Sequence, residues 1–439
     1  MTVALAVLVA VCTVGVSTAV WGVVGALRIA RAHRRDPRLL VPSMYFRSDD
    51  VAVLIAAHNE ELVIADAVAA ARALVPGRNV FVVSDGSTDA TVARAREAGA
   101  TALEVSPNRG KAGAIRAGLG RFRIAERFPL LLLLDADSRP RTDYLRTGLP
   151  LFTTPDVVAV AGRATTAHDT PDTRMGRFLT AYRERTYVCT QYLHKFGQAA
   201  PAADAVAIVP GFASLYRTDV LGRIDIDAPG LSIEDFNMTF EVHAKALGRI
   251  AFHPECAIAE TQDPALFGDY VRQVGRWNLG FWQTVRRHGI HLGVFWAALA
   301  VFIAETILSS LVLALTLPVL LVATAATVVA LVVPGGDGEL ARQVMTVLPV
   351  VPLLLAFVAA DLVSTLFACA LSGTRPRLTV LLYPLMRVLD ALLCLRALAT
   401  AFGRASDGRW KSPDRRATGP TDASSAGGTA ARRSDEVHA

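Results

Sequence analysis

Residues 130–137, LLLLLDAD, decide the fold class that the sequence predicts. An unbroken leucine run that stops abruptly at acid is typical of a buried strand ending at a polar site. Asp135 and Asp137 lie one residue apart, so in a strand their carboxylates point to the same side and repel unless a cation lies between them. Mg²⁺ or Mn²⁺ bridged to a diphosphate meets that need, because hard cations prefer carboxylate and phosphate oxygens. A solvated turn is the alternative, since the pattern is short.

Strands and helices alternate on both sides of this run. Residues 51–57 and 80–84 read as buried strands, and residues 60–74, 90–98 and 111–125 read as helices. This order predicts a parallel, Rossmann-like α/β sheet. Ligands of such sheets bind at the carboxyl ends of the strands, where this chain places His58-Asn59-Glu60 and Asp85-Gly86.

Two further segments carry residues suited to a phosphorylated ligand. Asp85 is able to accept hydrogen bonds from a base or ribose, and Gly86 permits close approach of the backbone. Arg109 and Lys111 place two cations just before a helix, where helix N-termini also favour phosphate. The alternative for the first segment is an ordinary helix N-cap at Ser87 or Asp89.

Acidic and aromatic residues farther along the chain suggest acceptor chemistry. Glu234-Asp235 lies just ahead of a helical stretch, as either a capping arrangement with Ser232 or a general base, Asp235, for a hydroxyl group. In the segment Gln273-Val274-Gly275-Arg276-Trp277, three side chains share one helix face. An amphipathic helix at a membrane surface is the alternative there.

The composition indicates a membrane protein with a soluble domain. Hydrophobic residues make up 52% of the chain, mean hydropathy is +0.39, and the apolar residues concentrate at both ends. We predict a transmembrane anchor in residues 1–29, a cytosolic domain in residues 45–288, two membrane helices in residues 291–333 with a break near Pro318, and two membrane or interfacial helices in residues 343–402. A polar loop is expected at residues 335–342 and a disordered tail at residues 412–439.

Charge supports this placement. Arginines follow the first apolar run, which favours a signal anchor with a cytosolic domain in the plasma membrane over a cleaved signal peptide. The net charge of +6 is accounted for by the same rule, and because no reading motif accompanies it we expect no nucleic-acid partner. Five cysteines lack metal-type spacing, which favours small buried thiols.

Taken in order, these motifs resemble the processive family 2 glycosyltransferases, which include poly-N-acetylglucosamine, hyaluronan, chitin-oligosaccharide and cellulose synthases. The resemblance covers residues 51–287 and the membrane layout. It implies a GT-A fold inserted between transmembrane helices, an Mg²⁺ or Mn²⁺ cofactor, a nucleotide-diphosphate sugar donor such as UDP-GlcNAc or UDP-glucose, and a saccharide or glycolipid acceptor at the bilayer.

The resemblance also implies residue roles. Asp235 resembles the catalytic base, and Asp137 the catalytic metal ligand beside Asp135. Donor binding falls to residues at strand ends and helix starts and to the arginine of the Gln273–Trp277 segment, namely Asn59, Glu60, Asp85, Lys111, Asp135, Asp137 and Arg276. Acceptor binding falls to the loop, acid and tryptophan positions, namely Gly211, Phe212, Glu234, Gln273 and Trp277.

Three features depart from the family pattern. The first strand ends in Ile55-Ala56-Ala57-His58-Asn59-Glu60, where the family usually has a proline and an aromatic residue before the asparagine. Residues 163–210 match no family segment, and the apolar runs show no row of polar residues that would mark a saccharide channel. A non-processive transferase that acts on a lipid, and a scaffold with a degenerate transferase domain, are therefore the alternatives.

Overall fold

The fold is taken from a computed structural model, which describes residues 15–32, 45–152, 154–167, 171, 173–333, 336–347 and 350–403. The strands are β1 Val51–Ala57, β2 Val80–Asp85, β3 Thr101–Val105, β4 Leu130–Asp135, β5 Ser138–Pro140, β6 Val157–Ala161, β7 Arg163–Thr166, β8 Ala213–Arg217, β9 Arg249–Ala251 and β10 Ile258–Thr261. The helices are α1 Val16–Ala32, α2 Ile64–Arg72, α3 Thr91–Glu97, α4 Gly110–Arg121, α5 Ile124–Arg127, α6 Tyr144–Gly148, α7 Arg174–Thr190, α8 Phe196–Gln198, α9 Thr218–Leu221, α10 Asp235–Ala244, α11 Phe267–His288, α12 Val294–Val332, α13 Gly336–Val347, α14 Val350–Ser372 and α15 Tyr383–Gly403.

A seven-stranded sheet in the order β3-β2-β1-β4-β8-β6-β9 forms the centre of the domain. The strands β2, β1 and β4 are parallel, as expected, and β3, which the sequence did not predict, pairs in parallel with β2. β8 runs antiparallel to both β4 and β6, so the expectation of a purely parallel sheet is wrong at this strand. A second sheet in the order β5-β10-β7 lies beside the end of β4.

The core lies on both faces of the large sheet because side chains alternate along each strand. Val53 and Ile55 of β1 pack with α2 on one face, whereas Leu54 packs with Ile115 of α4 on the other. All seven residues of β1 are buried, which explains why an unbroken apolar run, rather than an alternating one, encodes this strand.

The apolar C-terminal helices pack against α11. Phe281 and Trp282 of α11 share a cluster with Trp296 of α12 and Cys394 of α15. The one acid of α12, Glu305, accepts hydrogen bonds from the backbone N–H of Ser17 at 3.1 and 3.3 Å and thereby caps the start of α1. The helices that flank the α/β domain in sequence therefore contact one another and the domain.

The structure corrects two expectations about these helices. Residues 294–332 form one continuous 39-residue helix through Pro318, not two helices. Residues 336–347 are helical, so the polar loop expected over residues 335–342 is wrong for residues 336–342. Residues 1–14 of the predicted anchor and the predicted tail lie outside the described residues.

Among the described residues, two helices are long and apolar enough to cross a membrane, judged by length and composition alone. They are Val294–Val332 and Leu378–Gly403, the second including the short 3-10 turn before α15; Phe357–Ser372 is apolar but shorter. Which of the predicted membrane segments cross a bilayer stays a prediction.

Candidate active site

Four charged residues meet at the carboxyl edge of the large sheet. The ammonium nitrogen of Lys111 lies 2.7 Å from Asp135 Oδ1 and 2.9 Å from Glu234 Oε1. It also donates to the backbone oxygen of Gly211 at 3.4 Å. Asp235 accepts a hydrogen bond from Gly211 N–H at 3.4 Å, so residues expected on the donor and acceptor sides form one cluster.

The fold explains why these residues meet. Asp135 is the last residue of β4, Lys111 is in the first turn of α4, and Asp235 begins α10. The Phe212 carbonyl accepts Asp135 N–H at 2.9 Å, which fixes the loop before β8 against the acidic strand end. Phe212 therefore holds the acidic strand end through its backbone, whereas the sequence suggested acceptor contact.

Lys111 controls the electrostatics of the cluster. Burial alone lowers the pKa of Lys111, but Asp135 and Glu234 outweigh it and hold the pKa well above its usual value. Burial alone raises the pKa of Glu234, yet Lys111 and, more weakly, Arg276 bring it below its usual range. Glu234 is only 6% exposed, so its carboxylate is committed to Lys111 rather than open to an acceptor.

Asp235 has the properties of a base. Burial and the neighbouring carboxylate of Glu234 raise its pKa to about 6, against the opposing pull of Lys111. Its Oδ1 accepts Phe236 N–H at 2.8 Å, which orients the carboxylate. Such a group is ionised at neutral pH but basic enough to accept a proton. The capping arrangement between Ser232 and Asp235 does not form, since Ser232 N–H donates to Gln283 instead.

Gly211 has no room for a side chain. A Cβ atom there would lie 2.8 Å from Lys111 Nζ and 3.0 Å from Glu234 Oε1. A larger residue would displace the ends of these two side chains and so weaken the ion pair between them.

Asp85, the last residue of β2, lies in a second part of the site. Its Oδ1 accepts Arg109 N–H at 2.8 Å, while its buried Oδ2 has no hydrogen-bond partner among the residues that the structure describes. Burial raises the pKa of Asp85 against these backbone hydrogen bonds. Gly86 has a φ of +65°, and a Cβ atom there would lie 3.0 Å from the backbone nitrogen of Asn108. The oxygen without a partner fits a donor-bound hydroxyl or base N–H.

Asn59 and Glu60 lie at the end of β1, as the sequence predicts, and both form hydrogen bonds to other residues of the protein. Asn59 adopts a positive φ of 55°, and its Oδ1 accepts Thr88 N–H at 2.8 Å. Glu60 is fully buried, and its N–H donates to Thr91 Oγ1 at 2.8 Å. Both residues hold the loop after β2, and a direct donor contact stays a prediction.

Arg276 and Trp277 lie on α11 as expected, and Arg183 of α7 covers the tryptophan. The guanidinium carbon of Arg183 is 4.1 Å from the Trp277 ring centroid, a cation–π distance. Arg183 also donates to Tyr187 Oη at 2.8 Å and to Asp263 Oδ1 at 3.3 Å. The amide oxygen of Gln273 is buried without a hydrogen-bond partner among the described residues, which marks it as a group able to receive a ligand.

Sequence reasoning missed Arg183, Tyr187 and Asp263. Arg183 and Tyr187 lie in the stretch 163–210 that matches no family segment, and Asp263 lies in the loop after β10. The only signal in the sequence was a pair of arginines in a segment that also carries apolar residues. That signal does not reveal that one of them lies over a tryptophan on another helix.

The carboxylates at the end of β4 fit a divalent cation only in part. Asp137 raises the pKa of Asp135 beyond the effect of burial, because two like charges are close together. No group of three or more His, Cys, Asp or Glu side chains suited to a metal occurs among the described residues. The protein therefore offers two carboxylates, and the remaining oxygens must come from a bound diphosphate and water, as is common for Mg²⁺.

Lys111→Met tests the structural importance of the cluster. It leaves Asp135 and Glu234 without their cation, and breaking a largely buried ion pair costs about 1–3 kcal/mol after allowance for partial exposure. We expect a thermal unfolding midpoint several degrees lower, measured by light scattering or fluorescence in detergent. Arg94→Gln, which breaks the exposed pair with Glu97, is the control. An unchanged midpoint for Lys111→Met would contradict the stabilising role.

Comparison with known proteins identifies the domain. Residues 48–280 match the family model described as glycosyltransferase like family 2. No curated protein matches. Among solved structures, a mannosyltransferase from Pyrobaculum calidifontis in complex with GDP-Man and Mn²⁺ is 16% identical, with a TM-score of 0.49 over 92% of this chain and 99% of that chain. Glucosyl-3-phosphoglycerate synthase from Mycobacterium tuberculosis is also 16% identical, with a TM-score of 0.36 over 56% and 82%. These likenesses are too distant to support an assignment, which rests on the family match.

Proposed function

Since this chain belongs to the family 2-like glycosyltransferases and is a glycosyltransferase with a GT-A domain, we propose that it transfers a hexose from a nucleotide-diphosphate sugar to a saccharide acceptor with inversion. The observation that carries the proposal is the cluster of Lys111, Asp135, Glu234 and Asp235. It places one carboxylate with a pKa of about 6 beside a cation held by two acids.

Asp235 acts as the base. An acceptor hydroxyl is a poor nucleophile until a positioned carboxylate takes its proton. The hydroxyl oxygen bonds to the anomeric carbon as the bond from that carbon to the diphosphate oxygen breaks, and the proton passes to Asp235. One displacement inverts the anomeric centre, so an α-linked donor gives a β-linkage.

The leaving diphosphate gains negative charge, and nearby cations stabilise it. Lys111 lies next to Asp135, and Arg276 is close enough to lower the pKa of Glu234. A divalent cation held by Asp135 and Asp137 would neutralise the diphosphate when bound. Asp85 offers its unpartnered oxygen to the nucleoside part of the donor, for which UDP-GlcNAc and UDP-glucose are the first candidates.

A cavity of about 410 Å³ next to Trp277 supports the proposal of a saccharide acceptor. The sequence showed no polar row in the apolar helices, yet these helices contribute Thr306, Ser310, Ser364, Arg387 and Asp390 to the lining. Arg183 pairs with Asp263, and Arg185 and Arg387 share Asp361. Asp390 adds a third carboxylate to the three arginines of the cavity. A cavity of balanced charge with hydrogen-bonding groups and aromatic faces suits an uncharged, polyhydroxylated ligand. This favours a growing β-linked saccharide at the membrane over a lipid phosphate.

Membranes containing the full-length protein, incubated with a panel of UDP- and GDP-sugars, test the proposal. We expect release of a nucleoside diphosphate that a chelator abolishes and Mn²⁺ or Mg²⁺ restores. A ladder of saccharides indicates repeated transfer, and a single glycolipid indicates the non-processive alternative. No release from any donor would leave the scaffold with a degenerate domain as the better account.

A further inference from the structure

The helix that carries Trp277 is tied to an acid of the C-terminal apolar helix. Asp390 of α15 accepts a hydrogen bond from Tyr270 Oη at 2.7 Å and another from Tyr182 Oη at 2.8 Å. Tyr270 lies on α11 and Tyr182 on α7, and both are almost completely buried. One carboxylate therefore joins three helices.

The spacing on α11 connects this contact to the acceptor site. Tyr270 and Trp277 are seven residues apart, two helical turns, so they lie on the same face. Gln273 lies between them, one turn after Tyr270. A hydrogen bond that fixes Tyr270 therefore fixes the rotation and the axial position of the face that carries Gln273 and Trp277.

Tyr182, the second tyrosine bound by Asp390, lies next to the residue that covers the Trp277 ring. Tyr182 precedes Arg183, whose guanidinium lies 4.1 Å above the Trp277 ring. A shift of α7 would move Arg183, and a shift of α11 would move Trp277. Asp390 restrains both helices, so it holds the two partners of this stack in register.

Asp390 lines the proposed acceptor cavity, but each of its two oxygens already accepts a tyrosine hydroxyl group. We therefore infer that it is a positioning residue that sets Trp277 and Gln273 for the acceptor, through Tyr270 and Tyr182. This rests on the proposed function, because it assigns the acceptor side to α11. It gives the apolar helix a role in the reaction besides any role in the membrane. It also gives the carboxylate in that apolar helix a physical role, since a carboxylate bound by two hydroxyl groups is a strong restraint.

The test compares acceptor use with donor use in full-length protein purified in detergent. Variants Asp390→Asn, Tyr270→Phe and Tyr182→Phe are assayed with the donor identified by the panel, with cellobiose or N,N′-diacetylchitobiose as acceptor. Donor hydrolysis without acceptor reports on Asp235 and the donor site. Loss of a hydrogen bond to a charged group corresponds to roughly a tenfold effect, so we expect the acceptor KM to rise about tenfold for Asp390→Asn while donor KM and hydrolysis stay unchanged.

Two controls separate positioning from a general effect on the fold. Arg396→Gln changes a charge at an exposed position of the same helix and should leave acceptor KM unchanged. Tyr270→Phe should add little to Asp390→Asn if both remove one contact. An unchanged acceptor KM in active protein, or a parallel loss of hydrolysis and transfer, would overturn the inference. Absence of any donor turnover in the unmodified protein would instead refute the proposed function.

Discussion

Replacement of Asp235 by Asn is expected to lower sugar transfer by roughly 10²–10⁴-fold, the range that removal of a general base produces. Asparagine keeps the size of the side chain and is able to accept the Phe236 N–H hydrogen bond, but its amide does not take up the hydroxyl proton. Donor binding should persist, because Lys111, Asp135 and Asp85 are unchanged. Single-turnover transfer and equilibrium binding of the donor separate the two effects.

Asp227→Asn is a matched control for this variant. Asp227 pairs with Arg116 at the surface, outside the cluster, and the same chemical change there should leave transfer within about twofold, as expected for an exposed pair. Turnover retained by Asp235→Asn would remove Asp235 as the base and point to a base supplied by another group.

The pH profile gives an independent check on the same residue. A base works only when ionised, and burial with Glu234 raises the pKa of Asp235 to about 6. Transfer should therefore rise with pH through about 6 and level off above it, whereas an ordinary aspartate would give this limb near pH 4. A flat profile from pH 5 to pH 8, measured as kcat/KM for the acceptor, would contradict the assignment.

Strands buried on both faces were predictable, and strands at the edge of the sheet were not. β1 is apolar throughout, so its bounds follow from the sequence. β3, with the sequence TALEV, is half-exposed and has no apolar run, so it was missed. The antiparallel direction of β8 depends on pairing with β4 and β6, which no local pattern encodes.

The break expected at Pro318 shows the limit of a local rule. Proline removes one backbone hydrogen bond and clashes with the preceding turn, which favours a helix end in water. α12 nevertheless continues through it, as apolar helices are able to do when neighbouring groups compensate. At 1.5 Å per residue the helix is about 58 Å long, well beyond a bilayer core of about 30 Å.

The sequence predicted which residues belong to the candidate site, but it did not predict which of them contact one another. Lys111, Asp135 and Asp235 could be identified because each follows a strand or begins a helix, and the carboxyl ends of the strands meet at one edge of the sheet. The pairing of Lys111 with Glu234 depends on how α10 approaches the sheet, so the sequence placed Glu234 with the acceptor. Arg183 over Trp277 depends on the packing of α7 on α11, and the sequence carried no sign of it.

Substitution of Asp137 by Ala is expected to abolish the metal-dependent part of donor binding. Asp135 and Asp137 are the carboxylates of the acidic strand end, and the described residues hold no group of three or more His, Cys, Asp or Glu side chains suited to a metal. A cation held by so few protein groups depends on phosphate oxygens to complete its shell. Metal and donor should therefore bind together, each weakly without the other.

Isothermal titration with UDP, with and without Mn²⁺, measures this coupling. In the unmodified protein Mn²⁺ should tighten UDP binding by about 5–150-fold, the usual range of a coupling free energy, and Asp137→Ala should remove most of that factor. Asp143→Ala, at a half-exposed acid of the loop before α6, controls for the loss of negative charge nearby. Equal enhancement by Mn²⁺ in Asp137→Ala and unmodified protein would place the cation elsewhere and leave Asp137 without its proposed role.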